Sequence, residues 1–299
     1  MLVAACYLVC ALVWSTTWFA IRVCIGEGGY PTFAAAAIRF TVAAALLGLV
    51  LQLGYGRPGP RTRRQLGWLV AAGLCNAICY SMVYLSEESL PGGLVAVLFG
   101  TYPLFTALFA SLTGTEKVRP ADIGAATLSL AGMAILFWDR MSVSPDQATG
   151  VAFALGGVLA TVAYNLILKR EAGEVNPLAS TTVFLSVAAA ALWFAAIPEG
   201  PSQVPWPPPA APTAALLYLA VFGSVVTFGC YFYLLKRVTL MTASSLVLIQ
   251  PVLALLVDAV WEQDVRLVGR SYVGVAVTLA GVALGLVWKW RAARHTRPG

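Results

Sequence analysis

Charge is what this chain has least of: Asp, Glu, Lys and Arg together make up 11% of it, where an ordinary soluble domain carries about a quarter. With 60% hydrophobic residues and a mean hydropathy of +0.82, that scarcity excludes a soluble globular protein and points to one whose solvent is lipid. Histidine is nearly absent. The single one, His295, stands in the C-terminal tail, so metal binding and histidine-based acid–base catalysis have neither ligands nor base. No metal, no cofactor and no enzymatic activity are expected. Cysteines are few and poorly placed for bridges: Cys6/Cys10 and Cys75/Cys79 are four apart on helices, and Cys24 and Cys230 are isolated. A long polar stretch is lacking too. One bilayer-crossing helix takes about 20 apolar residues. Ten such runs absorb roughly 200 residues, leaving no room for a separate catalytic or nucleic-acid-reading domain.

What is present is order within the apolar runs. Hydropathy and helix breakers place helices near 2–22, 31–53, 66–86, 91–113, 120–138, 148–169, 177–197, 213–235, 240–261 and 269–290. Pro31, Pro91, Pro120 and Pro177 each fall in a first turn, where a missing N–H costs nothing. The basic residues then sort by side. With the N-terminus cytoplasmic, that side holds Arg57, Arg61, Arg63, Arg64, Lys117, Arg119, Lys169, Arg170, Lys236, Arg237, Lys289, Arg291, Arg294 and Arg297, 14 of the 19. Such an excess marks the cytoplasmic face. The opposite loops hold only Arg22, Arg140, Arg266 and Arg270 and collect Glu27, Glu87, Glu88, Asp139, Asp146, Glu199, Glu262 and Asp264. The net charge of +6 is therefore a topology signal, and no nucleic-acid partner is implied. The stretch from Pro198 to Pro212, with seven prolines, reads as a stiff extended connector on the outer side.

The two halves repeat. Tyr84-Leu85 recurs as Tyr233-Leu234, Pro103 as Pro251, and Leu130-Ala131-Gly132 as Leu279-Ala280-Gly281, at offsets of 149, 148 and 149. A constant offset is the mark of a duplicated unit, here five helices, residues 1–141 and 142–299. Because five is odd, the second copy enters the membrane inverted. The charges agree: Glu87-Glu88 follows Tyr84-Leu85 outside, and Lys236-Arg237 follows Tyr233-Leu234 inside.

The segment Ala11-Leu12-Val13-Trp14-Ser15 through Arg22, the span from Tyr84 through Tyr102-Pro103-Leu104-Phe105 to Glu116-Lys117, the Gly124–Gly132 segment and the counterparts around Pro251 and Gly281 resemble the ten-helix drug/metabolite transporter superfamily. The likeness is to its EamA-type exporters, and among them to the YddG-like amino-acid exporters. It covers essentially the whole chain. It implies an all-α integral membrane fold: ten transmembrane helices as two inverted five-helix repeats around a central cavity, both termini cytoplasmic, in a bacterial inner membrane. It also implies export of aromatic and other neutral amino acids. Two departures stand out. Ser15 replaces the usual glycine after the first-helix tryptophan, and the acidic residue after the second-half proline helix is either Glu262 or Asp264. Small multidrug-type relatives use a first-helix carboxylate for proton exchange; this chain has none there, so that mechanism does not transfer. Facilitated diffusion and an unidentified coupling are the alternatives.

Candidate site residues follow from depth and spacing. Pro103 and Pro251 lie roughly 15 to 18 Å into their helices, where each proline would free a carbonyl, that of Phe99 or Val247. They are duplicated midplane hinges or plain kinks. Arg39 lies roughly 12 Å below its helix start, captures a substrate carboxylate, or else serves in a structural ion pair or helix-end carbonyl contacts. Asp258 suits a wetted helix end or a partner for Arg22 or Arg39 better than proton coupling. Trp14 and Trp18 beside Ser15, and Asn76, Tyr80 and Tyr84 at successive fours, form helix stripes. Together with Tyr102, Asn165 and Gln250 they would line a cavity for a small amphipathic solute, unless the aromatics are packing bulk or face lipid. Trp68, Trp138, Trp193, Trp261, Trp288 and Trp290 read as interfacial anchors. The small faces Gly281/Gly285 and Gly124/Ala125/Ser129/Gly132 serve intramolecular packing or a weak homodimer. Efflux of drugs or organic cations is the same-class alternative; an intramembrane enzyme or a non-transporting receptor belongs to other classes.

Overall fold

Apolar sequence without interior proline gives the longest helices. The computed structural model describes residues 1–54, 59–60, 62–90, 92–138, 147–171, 175–200, 203–250, 252–253 and 269–295. In chain order these form α1 (Leu2–Ile25), α2 (Thr32–Gln52), α3 (Arg63–Ser89), α4 (Gly92–Phe99), α5 (Tyr102–Leu112) and α6 (Pro120–Leu136). There follow α7 (Ala148–Glu171), α8 (Pro177–Ala195), α9 (Ala210–Ala220), α10 (Thr227–Leu235), α11 (Leu240–Gln250) and α12 (Gly269–His295). A π-helical turn, Val221–Val226, joins α9 to α10. Among the described residues there is no strand. Seven helical spans among the described residues, α9 through α10 taken as one, are long and apolar enough to cross a bilayer. Tyr102–Leu112, Pro120–Leu136 and Leu240–Gln250 are shorter apolar helices.

Three departures from the sequence reading have local causes. The helix expected over 91–113 is broken at Gly100-Thr101, and Pro103 stands in the first turn of α5. There it removes no interior hydrogen bond, contrary to the expected freed carbonyl at Phe99, because an opening turn needs no N–H. Thr101 closes α4, its N–H and hydroxyl both donating to the Leu98 carbonyl, and its own carbonyl accepts from the N–H groups of Leu104 and Phe105 to begin α5. Second, the expected connector ends early, since a helix already begins at Ala210. Third, the π turn was not foreseen. Pro251 and Asp258 lie outside the described residues.

Several helix ends are capped by distant side chains. The Glu199 carboxylate accepts from the N–H groups of Phe33 and Ala34 at 2.7 and 2.8 Å, meeting the positive end of α2. Glu116 does the same for Leu240 at the start of α11, at 2.7 Å. The Lys169 ammonium donates to the carbonyls of Leu235 and Val238 at the end of α10, and Lys236 donates to Val175. Asp122, in the first turn of α6, accepts the Arg119 N–H at 3.3 Å.

Packing follows an exchange pattern: α3 lies on α7 and α8, α1 on α9 and α10, α2 on α8, and α6 on α12. The last pair is a seam of small residues. A Cβ on Gly281 would meet the Ser129 nitrogen at 2.7 Å and the Ala125 carbonyl at 2.8 Å. One on Gly132 would meet the Thr278 hydroxyl at 2.5 Å and the Gly274 carbonyl at 2.9 Å. The Ser129 hydroxyl donates to the Ala125 and Thr278 carbonyls, and the Thr278 hydroxyl to those of Gly274 and Ser129. Gly132 and Gly281 are thus spent on contacts within one chain, while a Cβ on Gly124 would meet nothing within 4 Å. Trp68, Trp138, Trp193 and Trp288 are exposed, while Trp261 and the Trp290 side chain lie outside the described residues.

Candidate functional site

Helical spacing sends Trp14, Thr17, Trp18 and Ile21, one face of α1, into a cavity inside the bundle. It encloses about 730 Å³ of empty space counted to its mouth, and its wall is completed by Arg39, Cys79, Tyr80, Val83, Phe99, Tyr102, Thr161, Tyr164, Phe228, Tyr231, Ala243, Leu246, Val247 and Gln250. The lining is chiefly aromatic, and its rings meet edge to face: Trp18 and Phe99 at 5.9 Å, Trp14 and Phe228 at 5.7 Å between centroids. Phe40, behind the lining, holds Tyr80 at 4.8 Å. Such rings give stiff apolar walls that carry polar tips. No Asp or Glu is among these lining residues.

Among the described residues the one charge in the wall is Arg39, buried to 1% exposure. Its Nε donates to the Ser224 hydroxyl at 2.9 Å and its Nη2 to the Gly223 carbonyl at 3.0 Å. Its guanidinium carbon stands 5.1 Å from the ring centroids of both Phe40 and Tyr80. Both hydrogen-bond acceptors belong to the π turn, whose widened bonding pattern often marks functional sites in helices. The Gly223 carbonyl also receives the Thr227 hydroxyl at 2.7 Å and the Trp14 indole N–H at 3.4 Å. Ser224 donates to the Leu219 carbonyl, so its lone pairs are what Arg39 meets. A Cβ at 223 would stand 3.0 Å from the Thr17 methyl and 3.3 Å from Arg39 Nη2, so a larger residue there would displace both side chains by a few tenths of an ångström. Carbonyl and hydroxyl dipoles with two ring faces thus hold the cation, and Arg39 Nη1 is left buried with no hydrogen-bond partner among the described residues. The Trp18 indole N–H, which lines the same cavity, is likewise buried with no partner among them, and the Tyr102 hydroxyl there faces that of Tyr231.

Of the residues singled out in the sequence, Trp14, Trp18, Arg39, Tyr80, Tyr102 and Gln250 reach the cavity. Ser15, Asn76, Tyr84 and Asn165 are buried but do not line it. The Ser15 hydroxyl turns back onto the Ala11 carbonyl of its own helix. Asn76 shares a face with Gly73, which abuts Phe184 and Val187 of α8; its amide is fully buried and makes no hydrogen bond. Tyr84 stacks obliquely on Tyr80 at 6.4 Å, one turn further along α3. Asn165 stands behind Tyr231, whose hydroxyl it accepts at 2.7 Å. Pro103 lies apart, in a small groove with Asp122, Ser129, Met241 and Ser245. Phe228 and Tyr231 are lining residues that the sequence reading passed over. Their signal was the spacing of Phe228, Tyr231, Phe232 and Leu235, one helix face.

The EamA-like transporter family matches residues 1–138 and again 148–287. An uncharacterized inner membrane transporter, YedA of Escherichia coli K12, is 30% identical over 252 residues, 82% of this chain and 78% of that one. A probable terminal-alkyne amino-acid exporter of Streptantibioticus cattleyicolor is 26% identical across 91% of this chain and 89% of its own. The aromatic amino acid exporter YddG of Ancylobacter novellus is 29% identical over 54% of this chain and 56% of its own. A solved structure superposes with a TM-score of 0.78 at 20% identity, covering 97% of this chain and 98% of the other, a likeness of fold.

Proposed function

Because this chain belongs to the EamA-like transporter family, we propose that it exports small amphipathic metabolites across a bacterial inner membrane, specifically neutral and aromatic amino acids. The observation that carries this reading is a pair of buried donors in the cavity lining with no partner among the described residues: Arg39 Nη1 and the Trp18 N–H. A buried polar group without a partner costs on the order of 1 to 3 kcal/mol by mutational measures. Both groups are pure donors, one of them charged, and a carboxylate accepts from such donors more strongly than any neutral group. The aromatic wall takes an apolar side chain. Efflux of organic cations is less well supported, since the only charge among the described lining residues is positive.

Alternating access would use the two inverted halves, 1–141 and 142–299. The constant sequence offset supports this, as do the two stretches matched by the family. So does the packing: exchanging each first-half helix for its counterpart turns the α3–α7 contact into that of α1 with α9 and α10, and maps α2–α8 and α6–α12 onto themselves. The excess of basic residues supports placing both termini in the cytoplasm. On that side the ties of Glu116 to Leu240 and of Lys169 to Leu235 and Val238 would have to break for the cavity to open inward. The α4–α5 break beside Pro103 and the region of Pro251 are the proposed hinges, and Asp258 a partner for Arg22.

Purified protein in proteoliposomes, offered labelled phenylalanine and an organic cation in parallel, tests the reading. Saturable phenylalanine flux without cation flux is expected. Cation flux alone would overturn the substrate class.

A further inference from the structure

Tyr231 has a polarity fixed by its neighbours. The Asn165 amide donates through Nδ2 to the Thr161 carbonyl at 2.8 Å, and a carbonyl can only accept, which determines which end of the amide is oxygen. Oδ1 therefore faces Tyr231 and accepts its hydroxyl proton at 2.7 Å. With its one proton spent, the Tyr231 oxygen offers only lone pairs to its other neighbours, of which the Tyr102 hydroxyl is one. Tyr231 lines the same cavity as Arg39, and Trp14 stands between them. The Trp14 indole N–H reaches the Gly223 carbonyl that Arg39 also holds, and its ring lies 5.2 Å from the ring of Tyr231. The cavity thus has a donor, Arg39, and an acceptor, Tyr231, linked through Trp14. Such a pair suits a molecule that carries both a carboxylate and an ammonium.

We propose that Tyr231, held as a lone-pair acceptor by Asn165, receives the ammonium group of an amino acid whose carboxylate is bound at Arg39. Tyr231 is then a specificity-determining residue and Asn165 a positioning residue. The inference rests on the carboxylate reading of the cavity and adds to it: a free amine becomes a requirement. The Trp14 and Phe228 rings beside Tyr231 add faces that attract a cation. A site built to bond a substrate N–H discriminates strongly against the analogue that lacks it, because its buried acceptor is then left unanswered.

The test compares phenylalanine with 3-phenylpropionate, its counterpart without the amine, in proteoliposomes holding the full chain. The wild type is expected to favour phenylalanine. Tyr231→Phe should raise the apparent KM for phenylalanine about tenfold and leave that for phenylpropionate within about twofold. Asn165→Leu releases the Tyr231 proton, turns the hydroxyl into a donor and should shift preference toward phenylpropionate; it keeps the test open should the first variant fold poorly. Equal loss for both substrates, or a wild type indifferent to the amine, overturns the Tyr231 assignment while the Arg39 reading stands. Absence of saturable flux for either substrate in the wild type overturns the Arg39 reading itself.

Discussion

At the seam between α6 and α12 the two hydroxyls that meet are both answered: Ser129 and Thr278 donate to each other's helix carbonyls and glycines let the backbones touch. In the cavity, Arg39 Nη1 and the Trp18 N–H are buried with no partner among the described residues. Both regions lie inside a bundle meant for lipid, where an unanswered polar group has no water to fall back on. One region removes the cost by closing, the other keeps it. The seam is therefore read as the fixed part of the molecule and the cavity as the part completed by a ligand.

Substitutions should separate the two regions. Gly281→Val drives a branched side chain into Ser129 and Ala125 and should cost about 3 kcal/mol of stability, read as a lower Tm and folded yield in detergent; flux per folded molecule should hold. Arg39→Lys keeps the charge but loses the planar fork, and should lower kcat/KM for phenylalanine about a hundredfold with Tm near that of the wild type. Full transport by the Lys variant would remove bidentate recognition. Trp18→Phe keeps the ring and deletes an N–H that has no protein partner, so KM should rise about fivefold while Tm does not fall. A fall in Tm would move Trp18 to the structural side of the comparison. The smallest effect is expected for Pro103→Ala: flux lower by about threefold, KM unchanged, since the substitution loosens the start of α5 and touches nothing in the cavity.

Much of the cavity was legible from spacing. Trp14 and Trp18 on one stripe, Tyr80 on another, and Arg39 at depth are periodic or exceptional in an apolar sequence, and periodicity survives folding. The π turn was not legible, because Val221-Phe222-Gly223-Ser224 reads as ordinary apolar helix and the extra residue in the turn leaves no compositional trace. With it went the partners of Arg39. The α4–α5 break could have been read: Pro103 favours a first turn, and the continuous hydropathy of 91–113 hid that option. Asn76 and Asn165 shared stripes with lining residues yet lie behind them, since a stripe fixes a helix face and not which neighbour covers it. The seam was legible as two small faces, though only the structure pairs them with each other.

The central claim is that the cavity keeps its donors unpartnered for a carboxylate. Binding of phenylalanine and of phenylalaninamide to the purified wild-type protein, measured side by side by calorimetric titration, tests it most directly. The amide keeps the side chain and the amine and lacks only the carboxylate charge. Binding of the amide weaker by at least about tenfold is expected, and equal binding of the two would contradict it.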